Sequence, residues 1–331
     1  MKKLSVLVTS MLACCATSLA MAAEFNFKAG TDQPIGSSYD VMLNDFAKRV
    51  GERSDGRISI KVFPAAQLGS ELELAQGLRL GTVDFTATSV GNIASLVPKV
   101  AILGAPYIFD DIDHRQRVIS HDSAFYKALN DYVDHSRAGF KLLGITTAGI
   151  RSLYNSQKPV HTLEDLKGMK VRTLTSEAQV EGWQNLGAIP TPIAFAELYS
   201  ALQTGVVDGA ENSPEFLYLM KHYEQAPYYS LTEHMMATGL FMVSDRVWKK
   251  LPEDLQQIVL QAGAEASANE QQFDMKNSDA YMEKLKAEGV KVNTVDKGPW
   301  IQVSLPLHDK IAKEVDGAEL LQLIRAASDK K

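Results

Sequence analysis

The chain has 331 residues, 45% apolar and 22% charged, which excludes collagen-like, low-complexity and disordered classes. Its length suits two domains with a sizeable core. A net charge of −6 argues against a nucleic-acid partner, because neutralising phosphates takes a basic face.

The N-terminus carries a secretory pattern. Lys2 and Lys3 form a basic start, Leu4 to Leu19 is mostly apolar, and Ala20-Met21-Ala22 is a small-x-small cleavage site. The apolar run is short for a retained membrane span. A lipoprotein acylated at Cys14 would have to ignore the better site at Ala22. Removing residues 1–22 leaves 309 residues, takes the net charge to −8, and removes both cysteines, Cys14 and Cys15. The mature chain is therefore expected in the periplasm, soluble and without a disulfide.

The remainder of the chain reads as strands alternating with helices, an α/β pattern. Strands are predicted at Phe25 to Ala29, Ile58 to Phe63, Val83 to Thr88, Phe140 to Ile145 and Met169 to Leu174. Val41, Leu43, Phe46 and Val50 are spaced for a helix over Tyr39 to Val50. Ser70 and Glu73 form a capping box for a helix over Glu71 to Leu80, ended by Gly81. Thr162 to Gly168 reads as a short capped helix. From Pro252 to Glu288 there is no further proline, and Leu255, Ile258, Val259, Ala262 and Ala266 keep helical spacing. As one helix these 37 residues would span roughly 55 Å. Two helices jointed near Asn277-Ser278 fit the pattern equally.

Catalytic and cofactor signatures are missing. There is no phosphate-binding glycine loop, no dinucleotide fingerprint, no H-E-x-x-H and no G-x-S-x-G. The seven histidines never fall three or four residues apart, so no helical metal pair exists, and neither cofactor nor metal is expected. Asp110-Asp111-Ile112-Asp113 lacks the glycine and glutamate of a calcium loop and suits a helix N-terminus. Polar residues at strand ends remain. Arg151 follows an apolar strand, and Arg172 lies in Lys170-Val171-Arg172-Thr173, each placed to hold a carboxylate or to form a structural ion pair. Asn212 lies in the turn-rich stretch Asp208 to Pro214, as a ligand partner or an ordinary cap.

Several runs together resemble one family. They are Arg151-Ser-Leu-Tyr-Asn-Ser156, Thr162 to Arg172, Leu186-Gly-Ala-Ile-Pro-Thr-Pro192 and Ala194 to Asn212, with Phe63 to Gly69, Gly81 to Phe85, Ala105 to Phe109 and Leu251 to Leu255. In this order they are similar to the solute-binding proteins of tripartite ATP-independent periplasmic (TRAP) transporters. The resemblance implies a non-enzymatic, two-lobed α/β binding protein of type II-like form, with hinge strands and a long helix crossing both lobes. Lobe I would take 23–148 plus 238–276, and lobe II 149–237 plus 277–331. It implies that Arg172 and Arg151 address a ligand carboxylate, with Asn212 beside them and Phe195 as an apolar wall. Glu71 and Ser89 would meet the far end of the ligand from the other lobe. The partner would be a TRAP membrane permease, and the protein a monomer.

One departure concerns the ligand. Many members read Glu-Asn-Pro where this chain has Glu211-Asn212-Ser213-Pro214-Glu215, which adds an acid near the expected pocket. Glu71 suits a hydroxyl and repels a second carboxylate. A sugar acid, uronate or aldonate, is thus favoured over a four-carbon dicarboxylate. Two rivals stand beside this reading. A binding protein of an ATP-driven importer lacks the arginine strand and long helix. A periplasmic enzyme on acidic sugars needs two carboxylates at catalytic separation, drawn from Glu71, Glu211 and Glu215.

Overall fold

The computed structural model describes residues 23–329, so the expected signal segment 1–22 lies outside the described residues. Among the described residues nine strands form one mixed sheet: β1 Phe25–Gly30, β2 Ile58–Phe63, β3 Phe85–Ser89, β4 Phe140–Asn155, β5 Lys170–Thr173, β6 Ile189–Pro192, β7 Gly209–Asn212, β8 Tyr228–Ser244 and β9 Lys291–Thr294. Their order is β2-β1-β3-β8-β4-β7-β5-β6, with β9 added beside β8. The outer strands pair in parallel through helical crossovers, β1 with β2 and β3, and β5 with β6 and β7. The two central strands run antiparallel through both halves, giving a two-lobed α/β fold.

β4 and β8 are 16 and 17 residues long and buried almost throughout. A strand covered on both faces reads as a nearly continuous apolar run. That explains why the sequence marks only Phe140 to Ile145 of β4. The strand continues through Arg151, which therefore sits within it and not past its end. Its register against β8 slips between Leu142 and Gly144, between Thr147 and Ile150, and between Arg151 and Leu153. Gly149, at φ +77°, occupies the middle slip, and a Cβ there would lie 2.3 Å from Ser213 Cβ. Only glycine fits that bend.

The segment after Pro252 is one unbroken helix, Glu253–Ala287, roughly 52 Å long. Its inward face is apolar at Leu255, Val259, Ala262 and Ala266, polar at Glu270, Gln271 and Asp274, and apolar again at Leu285. The polar part meets the slip in β4, where amides have lost their ladder partners. Glu270 accepts from Thr147 N at 2.9 Å and Thr147 Oγ1 at 3.1 Å, and Asp274 accepts from Gly149 N at 3.0 Å. Gln271 Nε2 donates to Ile145 O at 2.8 Å. Nearby, Glu215 Oε1 accepts from Ser38 N at 2.8 Å, where the helix Ser38–Arg53 begins. Burial, then mutual repulsion, raises the Glu270 carboxyl well above the ordinary range. The same two causes push Glu215 up to about 8. Burial raises Asp274 as well, with Arg115 pulling the other way.

Other elements match the sequence pattern with shifts. The capping box at Ser70 and Glu73 is present, and Asp111 caps the helix Ile112–Ile119 by accepting from His114 N at 2.8 Å. Thr162 to Gly168 holds a single 3₁₀ turn, Leu163–Leu166. The turn expected at Asp208 to Pro214 is instead the buried strand β7 followed by the helix Pro214–Leu219. Its sequence, Gly-Ala-Glu-Asn, has little strand propensity, and its place between β4 and β5 overrides that. The C-terminal helices touch both halves. Trp300 lies with Leu153 and Trp183, whereas Ile311 and Ile324 pack with Leu103 and Phe125.

The contact between long helix and central strand is open to two tests. A Cβ on Gly144 would stand 2.1 Å from Ser267 Oγ. Gly144→Ala should therefore cost about 1–3 kcal/mol in urea denaturation, partly recovered by adding Ser267→Ala. The folded protein holds a proton on Glu215 that the unfolded chain releases near 4.5, so this group makes stability fall as pH rises from 4.5 towards 8. Glu215→Gln keeps the acceptor for Ser38 N and should flatten Tm against pH across that window. Parallel profiles for the two proteins would refute it.

Candidate ligand-binding site

Between the two halves lies a narrow crevice, nearly filled by the side chains that line it. Arg172, Arg151, Asn212 and Phe195 line one side, and Gln33, Ser89 and Asn92 the other. Five of the six residues singled out in the sequence thus meet in one cavity. The sixth, Glu71, does not line it. It hydrogen-bonds Gln33, Ser89 and Asn92, which do line the cavity.

The two arginines differ in their surroundings. β7 pairs with β4 so that Asn212 faces Ser152 and Glu211 faces Leu153, which brings both side chains to Arg151. Arg151 Nε and Nη2 grip the Glu211 carboxylate, Nη2 also reaches Glu211 O at 2.7 Å, and Nη1 donates to Asn212 Oδ1 at 2.8 Å. Four of its five N–H donors are spent. Burial disfavours the Glu211 charge, but Arg151 and His234, whose Nε2 is 3.4 Å away, outweigh it and hold the carboxyl at about 2. The ion pair is internally balanced.

Arg172 has no such partner. It is 1% exposed, its Nε donates to Ile193 O at 2.8 Å, and its guanidinium lies 5.8 Å from the centre of the Phe195 ring. Neither Nη group has an acceptor among the described residues, and Nη1 is fully buried. Burial depresses this guanidinium from its ordinary value, while Glu211 acts to raise it. Beneath Phe195, the ring of His222 shares a hydrogen bond of 2.9 Å with Tyr154 Oη. Burial, then Arg172, lowers His222 to about 3, so it adds no second positive charge. Asn212 Oδ1 accepts from Arg151 and from Ser213 N at 2.9 Å, which leaves its Nδ2 as a donor.

The opposite wall is organised by acids. Glu71 opens the helix Glu71–Leu80, where the helix dipole favours a carboxylate. It accepts from Ser89 N at 2.9 Å, Ser89 Oγ, Asn92 Nδ2 at 2.7 Å and Gln33 Nε2 at 3.2 Å. Asp32, also buried, accepts from Gln33 Nε2 at 2.8 Å. Burial and neighbouring Glu71 raise the Asp32 carboxyl well above its usual range, with Arg172 pulling it down. The walls touch at the rim, where Thr175 Oγ1 lies 3.3 Å from Asn92 Oδ1, and a Cβ on Gly91 would meet Leu174 Cδ1 at 2.8 Å.

Glu215, the extra acid expected near the pocket, is instead behind the hinge on Ser38 N. Glu71, Glu211 and Glu215 therefore serve three separate sets of donors and form no catalytic pair. Among the described residues no cluster of three His, Cys, Asp or Glu side chains fits a metal. Sequence reading missed Gln33, Tyr39, Asn92, Gln179, Met235 and Thr238, all of which line the cavity. Gln33 and Asn92 fall in loop-like stretches without a motif, and Met235 and Thr238 lie on β8, which has no local signature.

Comparison with known proteins agrees with this arrangement. Residues 30–314 match the family model described as bacterial extracellular solute-binding protein, family 7. A TRAP periplasmic solute-binding protein from Pseudomonas putida F1, solved with D-glucuronate, superimposes with a TM-score of 0.87 at 32% identity, covering 92% of this chain and 98% of that one. One from Sulfitobacter sp. NAS-14.1, with β-D-galacturonate, gives 0.86 at 31% identity over 91% and 99%. One from Sulfurospirillum deleyianum, with succinate, gives 0.85 at 32% over 92% and 100%. Sequence and fold together place this chain in the family 7 extracellular solute-binding proteins, the periplasmic binding proteins of TRAP transporters, which makes it a transport protein and not an enzyme.

Proposed function

We propose that this protein captures a hydroxylated monocarboxylate, a sugar acid of the uronate or aldonate type, and delivers it as a monomer to a TRAP membrane permease. The observation that carries this reading is Arg172, a buried guanidinium whose Nη groups have no protein acceptor among the described residues. A buried charge without a partner is costly, and a ligand carboxylate would complete it by two parallel hydrogen bonds. Asn212 Nδ2 and the one free N–H of Arg151 would support the same carboxylate. Phe195 would cover an apolar face of the ligand.

The number of unpaired cations favours one carboxylate. Arg151 is neutralised by Glu211, so a second carboxylate would find no guanidinium and would approach Glu71 and Asp32. Of the three related structures described above, two hold uronates and one holds succinate. The acid-backed far wall supports the uronate side of that choice over the four-carbon dicarboxylate.

Capture would work by closure. Residues 23–148 with 238–276 would form one lobe and 149–237 the other, with β4 and β8 as hinges and the C-terminal part, 277–329 of the described residues, touching both. Ligand on Arg172 stabilises the form in which Ser89, Asn92 and Thr175 come together, because those contacts exist only there.

Arg172→Ala should weaken glucuronate binding by on the order of 100-fold or more in calorimetry, without lowering the Tm of the ligand-free protein. Arg151→Ala should behave differently, losing about 3–5 kcal/mol of stability because Glu211 is left buried and unpaired. Undiminished affinity in Arg172→Ala would sink the assignment.

A further inference from the structure

The far wall of the cavity has an unusual hydrogen-bond polarity. Gln33 Nε2 spends both hydrogens on carboxyl oxygens, at 2.8 Å on Asp32 Oδ1 and 3.2 Å on Glu71 Oε1. Its Oε1 is then buried in the cavity wall with no donor. Turning the amide over would set Oε1 against one of these carboxyls and forfeit the bond to Glu71. Ser89 gives its hydroxyl proton and its backbone N–H to Glu71 Oε2, leaving only lone pairs for the cavity. Asn92 gives one of its two Nδ2 hydrogens to the same oxygen, at 2.7 Å, and its Oδ1 accepts from Thr175, so it keeps a donor.

Building on the sugar-acid reading, we infer that Glu71 is a positioning residue that sets ligand specificity without touching the ligand: by taking the donors of Ser89 and, together with Asp32, those of Gln33, it leaves these two residues of the far wall as acceptors. Such a wall takes O–H donors from the ligand. Gln33 and Ser89 offer nothing to a second carboxylate, an ether or any group that only accepts, and each of these leaves Gln33 Oε1 buried and unpaired. A site built to receive a hydroxyl discriminates strongly against analogues lacking it, because its own polar groups are then stranded. Glu71 can do this because three elements converge on it: the loop after β1, the end of β3, and the short helix Val90–Ile93. Its position at a helix N-terminus supports its charge within the layer behind the wall.

The test uses the wild-type protein with glucuronate and galacturonate and their monodeoxy and monofluoro analogues, measured by calorimetry. Fluorine accepts weakly and cannot donate. At one or more ring positions the deoxy analogue should lose at least about tenfold in affinity, and the fluoro analogue should lose as much. If fluorine restores binding at every position where hydrogen loses it, or if no position matters, the acceptor wall is wrong. In Glu71→Gln the new amide becomes a donor and frees a hydrogen of the wall. The fluoro analogue should then bind at least about tenfold better than the deoxy one, and the ratio of succinate to glucuronate affinity should rise. An unchanged ratio and pattern would overturn the role of Glu71. Should that variant fail to fold, Gln33→Met removes the stranded acceptor directly, and parent and deoxy ligands should bind it alike. If the wild type binds no hydroxylated monocarboxylate, the sugar-acid reading and this inference fall together. If it binds them but fluorine replaces hydroxyl freely, only this inference falls.

Discussion

The architecture depends on one constraint: β4 must pass through both halves of the sheet while changing its register at Thr147 to Ile150. A slip in the middle of a buried strand strands backbone amides away from water. The long helix resolves this by turning polar where it crosses the slip, with Glu270 on Thr147 and Asp274 on Gly149. The cost is a group of buried carboxyls that hold their protons more tightly than free ones do. Gly144 and Gly263 let helix and strand approach closely just before this point, so the helix serves as a fixed reference for the bend.

That bend places the site. Arg151 lies two residues beyond it, and β7 pairs alongside to deliver Glu211 and Asn212. Arg172 arrives from β5, the next strand out, with the Phe195 ring beside it. Two arginines of similar appearance in sequence thus take opposite roles. Arg151 is locked to Glu211 and holds Asn212 in one orientation, whereas Arg172 retains its hydrogen-bonding capacity. The chain carries a net charge of −6, so attraction for an anion in this cavity would come from the Arg172 guanidinium and not from the overall field.

Much of this is legible in the amino-acid order. Elements with local chemistry can be read there, such as the capping box at Ser70 and Glu73 and the Asp111 cap, whereas the choice between one long helix and two after Pro252 came from the structure. The family resemblance leads to Arg172, Arg151, Asn212, Phe195 and Ser89, which do share one cavity. The missed parts have no local code. β7 is a strand because β4 and β5 flank it, and β8 lacks alternation because both its faces are covered. Glu71 is expected on the ligand because its residue type suits a hydroxyl. Its hydrogen bonds to Ser89 depend on how the loop after β1 and the end of β3 close over the helix N-terminus.

The sequence by itself pointed to the class of protein: an exported α/β chain with no catalytic signature, and arginines in the pattern of a carboxylate binder. Those properties live in composition, short-range periodicity and motif order. Only the tertiary structure decided which arginine is balanced, where each acid lies, and which atoms of the far wall are left as acceptors. Charge balance and hydrogen-bond polarity are properties of neighbours in space. Arg151 and Glu211 are 60 residues apart in sequence, and Gln33 and Glu71 are 38 apart. No local pattern reports that they meet.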